Sequence, residues 1–370
     1  MALGFKKSIL VKGFALFIVL SVVVMVGILI WTTDQTTWFL LKEFQWIFVP
    51  VLLGLGIVRW FLDGMAFVTM AKHGSRSSIR LGRAVVIRLE GSLVASVVPV
   101  LVGTFSMHAY LLHKEKMGLS ESMAMTVLRA ILPVFLFLFN IPILLLMRKD
   151  AAGGKFFTRF IEIISLPLVV IVVFFIFTLF FPDKIKAMAS SLVRWWGRVK
   201  FIHIEKVVAL EERLFHEIDQ FSKIFWTYLK KRKLMLLKAA GWILSAFLAD
   251  YFIALAILWG FGFQPSLVRG LMVQFLIQPI IFFAPTPGGA GIWEFTYLGF
   301  YSLFMPQHLI GVAVLVWRLL LTYFPTVIGA FFLTREFRRD RKLKKIILEK
   351  GVFPAEENDA VGDEDFPEDR

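Results

Sequence analysis

The chain has 370 residues, 58% of them hydrophobic, a formal charge of +14 and no cysteine; its mean hydropathy of +0.76 lies far above that of a soluble globular domain. The lack of cysteine excludes disulfides, thiolate metal sites and a cysteine nucleophile. In a chain this apolar, excess Lys and Arg is read as cytoplasmic loops facing anionic lipid heads, with no nucleic-acid partner implied.

A helical bilayer crossing takes about 20 residues. In chain order, apolar runs fall at Phe14–Trp31, Trp46–Leu62, Ala84–Gly103, Ser122–Met147, Ile161–Phe181, Leu234–Gly260, Leu267–Ala284, Ile292–Met305 and Leu309–Leu333. Their continuity predicts an all-α polytopic membrane protein, because a barrel would show short alternating strands. The first run follows Lys6, Lys7 and Lys12 without a convincing small-residue cleavage site, which predicts a retained span. Residues 188–233 are too polar for hydrocarbon. There Val207, Leu210, Leu214, Ile218, Phe221, Phe225 and Leu229 recur at helical steps, predicting an amphipathic helix along the cytoplasmic interface. The acidic tail at 351–370 is expected to be disordered.

Basic residues concentrate at the N-terminus, 72–83, 184–233 and 335–350, and such clusters favour the cytoplasmic side. If every run crossed fully, 184–233 would lie outside. The conflict disappears if 84–121, broken at Pro99 and Gly103, and 267–305, broken at Pro285–Gly291, are re-entrant helical hairpins. About six full spans then remain, both termini are cytoplasmic, and the loop 148–160 with Arg148, Lys149, Lys155 and Arg159 faces outward. Each half reads span, span, broken hairpin, span. Arg83 lies 16 residues before Pro99 and Arg269 lies 16 before Pro285, while Arg129 and Arg318 follow their prolines at similar distances. The pattern predicts one transmembrane domain over 1–350, with inverted repeats at 10–148 and 160–335.

The candidate site is the second break, "IIFFAPTPGGAGIWEF", carrying Pro285, Pro287, Gly288, Gly289, Gly291 and Glu294. Irregular backbone at membrane depth survives only where protein or a hydrated cavity surrounds it. A half-helix starting near Ile292 would gather the glycine amides at its positive end, a suitable place for an anion. Glu294 needs a cationic partner there, and Arg318 is expected to serve it or the ligand. Asp250, deep in "SAFLADYFIAL", is expected to line a cavity. Arg88 and Glu90 are too close in sequence to face each other; Arg88 either meets a partner inside the bundle or reaches the interface. Enzyme signatures such as HExxH, GxSxG or a Walker A loop do not occur. Asp34 and Glu43 offer only a short loop to the enzyme alternative, a lipid-linked glycosyl transferase. The third alternative is a non-transporting scaffold that binds lipid or a partner protein. No cofactor or metal is expected, and the chain is not expected to be an enzyme.

These residues resemble a known family. "PTPGGAGIWE" followed by "WRLLLTYFPTVIGAFFL" is similar to the transmembrane region of the lysylphosphatidylglycerol synthetase/flippase family, in Pro287, Gly288, Gly289, Gly291, Glu294, Arg318, Pro325 and Gly329. Ala290 replaces the family's usual leucine. "VRWFL", with Arg59 and Trp60, also fits. In the first half Pro99 and Gly103 are kept, Thr104 stands for a second glycine, and His108 stands near the family's arginine, upstream of Arg129. The resemblance covers about residues 10–335. It implies a flippase-like lipid transporter of the inner (cytoplasmic) membrane, handling an anionic or aminoacylated phospholipid or a related, even polyprenyl-linked, lipid. It also implies a stand-alone transport-type module without the synthetase domain. Taken together, the residue reading and the resemblance give as candidate lipid-binding residues Pro99, Gly103, His108, Arg129, Asp250, Pro285, Pro287, Gly288, Gly289, Gly291, Glu294 and Arg318.

Overall fold

The computed structural model describes residues 7–74, 78–98, 100–137 and 222–349, with isolated positions between 184 and 220. Pro99, the loop 148–160, the run Ile161–Phe181, most of the 188–233 segment and the acidic tail lie outside the described residues. Within that segment, 222–231 is helical.

Every regular element among the described residues is a helix. α1 (Lys7–Thr32) is followed by the short α2 (Gln35–Leu40) and by α3 (Phe48–Gly74). Next come α4 (Leu81–Val97), α5 (Val100–Lys114) and α6 (Leu119–Phe137). The second half holds α7 (Lys233–Gly260), α8 (Leu267–Phe282), α9 (Ile292–Tyr301), α10 (Gln307–Arg318) and α11 (Phe324–Glu349). Among the described residues, four stretches are long and apolar enough to cross a bilayer: Gly13–Thr32, Phe48–Lys72, Lys233–Gly260 and Gln307–Glu336. The helices α4, α5, α8 and α9 run to 17, 15, 16 and 10 residues, each short of the roughly 20 a crossing takes.

The helix ends follow local chemistry. The carboxylate of Asp34 accepts the Thr37 amide at 2.9 Å, and the Asp34 amide donates to Thr37 Oγ1 at 3.0 Å. This reciprocal cap starts α2, and the amide bond holds the Asp34 carboxyl below its usual range. The Thr37 hydroxyl also donates to the His308 carbonyl at 2.8 Å, which ties α2 to the start of α10. The run expected as one span at Leu309–Leu333 is α10 and α11 joined by a π-helical turn at Leu319–Tyr323. Pro325 has no N–H, and its ring would clash with the carbonyl four residues back, so the α-helical ladder cannot pass through.

α3 and α7 pack along their lengths and join two apolar cores. One is built from Phe67, Met70, Ile87, Leu111, Met125 and Leu128. The other gathers Ile253, Ile257, Val273, Ile277, Phe300 and Trp317. α7 serves both, contributing Ala239 to the first and Ile253 to the second. By contrast, α1 turns Val23, Ile30 and Trp31 outward, an apolar face suited to lipid. α11 crosses α4 closely: a Cβ on Gly329 would overlap the Leu89 carbonyl.

Candidate functional site

The break between α8 and α9 closes on itself. Gly288, Gly289 and Gly291 have φ of +59°, +68° and +85°, the left-handed region that glycine enters without penalty. Gly291 caps α9, and its amide donates to Glu294 Oε2 at 2.8 Å. Arg318 donates from Nε to Glu294 Oε1 at 2.8 Å, and its Nη2 stands 2.7 Å from the same oxygen. Its Nη1 donates to the Gly288 carbonyl and to Thr322 Oγ1, both at 3.0 Å. Glu294 and Arg318 are both fully buried. The π turn after Arg318 holds Thr322 within reach of the guanidinium.

The glycine amides are therefore not available in the way the sequence suggested. Gly288 N–H donates to the Ala95 carbonyl at 2.9 Å, Gly289 N–H to Thr286 at 3.0 Å, and Gly291 N–H to Glu294. An open cradle of amides is replaced by a bonded loop, because the last turn of α4 supplies a carbonyl acceptor and Glu294 folds back. The bond from Gly288 to Ala95 also joins this loop to the last turn of α4. Trp293 seals one side of the loop: its indole donates to the Ile281 carbonyl at 2.9 Å and lies under the Arg318 guanidinium, 5.0 Å away.

A second charged group lies among α3, α4, α6 and α7. Asp63 accepts from Arg129 Nη2 at 2.5 Å, from Arg88 Nε at 2.7 Å and from Arg59 Nη1 at 3.4 Å. Arg59 also donates through Nε to Asp250. Arg88 Nη1 reaches Ser92 Oγ at 2.5 Å, one turn on along α4. Arg129 stacks over Phe67 at 4.5 Å. The arginine side chains keep 13–15% exposure, unlike the sealed pair at Arg318. His108 sits beside them, fully buried, edge-on to Phe67 at 4.9 Å and close over Gly91.

A third network joins the start of α4 to α5 and α11. Arg83 contacts Glu115 at 2.6 Å, Glu90 at 3.2 Å and Glu336 at 3.0 Å, and Lys114 Nζ lies 2.6 Å from Glu336. Arg83 and Glu90 are seven residues apart and so share a face of α4. Arg88, Ser92 and Ala95 lie on another. α4 thus carries charge partners on two faces and is a polar seam through the bundle.

Of the residues singled out from sequence, Pro285, Pro287, Gly288, Gly289, Gly291, Glu294 and Arg318 form one loop-and-helix unit. Arg129, Asp250 and His108 join the Asp63 group instead. Gly103 lies at the α4–α5 crossing, where a Cβ would press on the Val94 carbonyl at 2.7 Å. Asp63 itself was missed. Its local signal was Arg59 four residues earlier, an (i, i+4) pair inside an apolar run. Glu336, ending the apolar part of α11, was missed as well.

Long apolar helices with buried charges between them define a multi-pass helical membrane protein. The chain belongs to the family described as the lysylphosphatidylglycerol synthase TM region, whose model matches residues 18–329. It is also similar to a protein described as a UPF0104 membrane protein from Archaeoglobus fulgidus, 23% identical over 324 residues, which cover 85% of this chain and 94% of the relative. No solved structure matches it. Membership of this family carries a membrane-lipid-related role.

Proposed function

We propose that the protein is a flippase-like transporter, not an enzyme, that moves an anionic or aminoacylated phospholipid between leaflets of the cytoplasmic membrane. The observation carrying this reading is the meeting of the two helix breaks, Gly288 N–H to Ala95 carbonyl at 2.9 Å, beside the partly exposed arginines around Asp63. Ionisable side chains inside membrane helices mark substrate pathways, because they are costly wherever they do not meet polar partners. Moving an unshielded head group through hydrocarbon costs many kcal/mol, and fixed charges along the path lower that barrier. The acyl chains stay in lipid while the head group follows the polar seam of α4. The two hairpins are re-entrant in this reading, both termini are cytoplasmic by the distribution of Lys and Arg, and one half rocks against the other.

Reconstitution tests it. Vesicles containing the full chain and a head-group-labelled phosphatidylglycerol are treated with a membrane-impermeant quencher. The expected result is leaflet exchange well above that of protein-free vesicles. Exchange at the protein-free rate across anionic and aminoacylated phospholipids would reject transport and favour a lipid-binding scaffold.

A further inference from the structure

The two halves handle an equivalent arginine in opposite ways. Glu294 lies nine residues after Pro285, and His108 lies nine residues after Pro99. Gly289 and Gly103 each lie four residues after the same prolines. In the second half the arginine of the following helix, Arg318, is bonded to that glutamate and sealed from solvent. In the first half the corresponding position is His108, whose ring lies against the Arg88 backbone and meets no acid. Arg129 Nε is buried without a partner. Arg129 turns to Asp63, which already serves Arg88 and Arg59.

The charges around Asp63 do not balance. Arg59, Arg88 and Arg129 face Asp63 and Asp250, so one positive charge is left over among the described residues. Of about fifteen N–H donors on three guanidinium groups, the contacts engage five. Buried charged donors without acceptors are costly, and these side chains keep a residual opening. An oxyanion of a single negative charge would neutralise the excess and accept the free donors in forked geometry.

We infer that the group formed by Arg59, Arg88, Arg129, Asp63, Asp250 and His108 is a binding site for a singly charged phosphodiester, the linkage of a glycerophospholipid head group. The loop at Gly288–Glu294 with Arg318 is the structural clamp beside it. A phosphate monoester dianion or a lipid diphosphate leaves the site over-neutralised, so the phosphodiester is preferred. Asp63 splays the three guanidinium groups, and His108 fills the place of an acid without adding a carboxylate. This inference deepens the proposed lipid reading and rests on it for the source of the phosphodiester.

The test is binding to the full chain in detergent, read by thermal shift and native mass spectrometry. The ligands are short-chain phosphatidylglycerol, phosphatidic acid, a polyprenyl diphosphate and diacylglycerol. Phosphatidylglycerol is expected to bind more tightly than either more highly charged lipid, and diacylglycerol not to bind. Arg129→Gln is expected to weaken phosphatidylglycerol about 10- to 100-fold, the range for one or two charge-assisted bonds. His108→Glu rebuilds the closed pairing of the second half and is expected to abolish binding while the unliganded protein remains at least as stable. Preference of the unmutated protein for the diphosphate or for diacylglycerol overturns the inference without recourse to any variant. So does full-strength binding in a folded His108→Glu protein. Leaflet exchange separates the two readings: binding without exchange sinks transport alone, and exchange that persists undiminished in folded His108→Glu sinks the phosphodiester site alone.

Discussion

Replacing Arg318 by Met should be among the most damaging single changes in the chain. Its guanidinium is fully buried and makes contacts to Glu294, to the Gly288 carbonyl and to Thr322. Without it, Glu294 is a fully buried acid whose remaining bond is the Gly291 amide at 2.8 Å. Breaking one side of a buried ion pair costs about 3–5 kcal/mol, a large share of a domain stability of about 5–15 kcal/mol. The Gly288 carbonyl and Thr322 hydroxyl lose a charged donor too, and each such bond is worth about 1.5–3 kcal/mol. Glu294→Gln with Arg318→Met removes both charges and leaves the Gly291 amide an acceptor, so the double variant should recover most of the loss. Denaturant unfolding in micelles, followed by the emission of the chain's eleven tryptophans, measures the cycle, and Trp293, 5.0 Å from the guanidinium, contributes to it. A loss under about 1 kcal/mol for Arg318→Met, the range of an exposed pair, would refute the sealed clamp. A double variant no more stable than the single would refute the stranded-charge argument.

Three further outcomes follow from close contacts and shared charge. Gly329→Ala drives a Cβ into the Leu89 carbonyl, which is backbone and cannot rotate away, so thermal unfolding should show a loss of about 1–3 kcal/mol; wild-type stability would mean α11 and α4 do not cross this closely. Gly289→Ala and Gly291→Ala both force an alanine into the left-handed region, at about 1–2 kcal/mol, but only at 289 does the Cβ meet the Trp293 indole. Gly289→Ala should therefore be the less stable of the two in the same melt. Asp63→Asn should cost at least about 3 kcal/mol, because three guanidinium groups lose their shared anion; equal stability at high and low salt, matching wild type, would show the arginines are satisfied elsewhere.

The four long apolar helices were legible because runs of that length and composition leave few alternatives, and the Gly-rich break was legible because its three positive-φ positions needed residues without a Cβ. The partners at the break were not. The acceptor for Gly288 is the backbone of Ala95, 193 residues earlier, and a carbonyl leaves no mark on residue type. The same distance hid the Asp63 group: its arginines stand 4, 25 and 66 residues away, on three helices. Only the nearest of these spacings is a helical period. The π turn lay between the two cases, since Pro325 announces a break in the ladder but not the extra residue that absorbs it.

The pairing of Arg318 with Glu294 shows what the first half could have been. With a glutamate at 108, the carboxylates around Asp63 would balance the three arginines, and the group would need no ligand. Histidine at that position withholds the third negative charge while filling the space between Phe67 and Gly91. On the proposed reading, two breaks of like spacing yield sites of unequal completeness, one closed by its own side chains and one closed by an anion from outside. The closed loop meets the end of α4 through Gly288 and Ala95, and α4 carries Arg88 about 10 Å away, seven residues at 1.5 Å each. Filling the open site therefore acts on the same helix that the clamp holds, which is the physical connection a rocking motion between the halves requires.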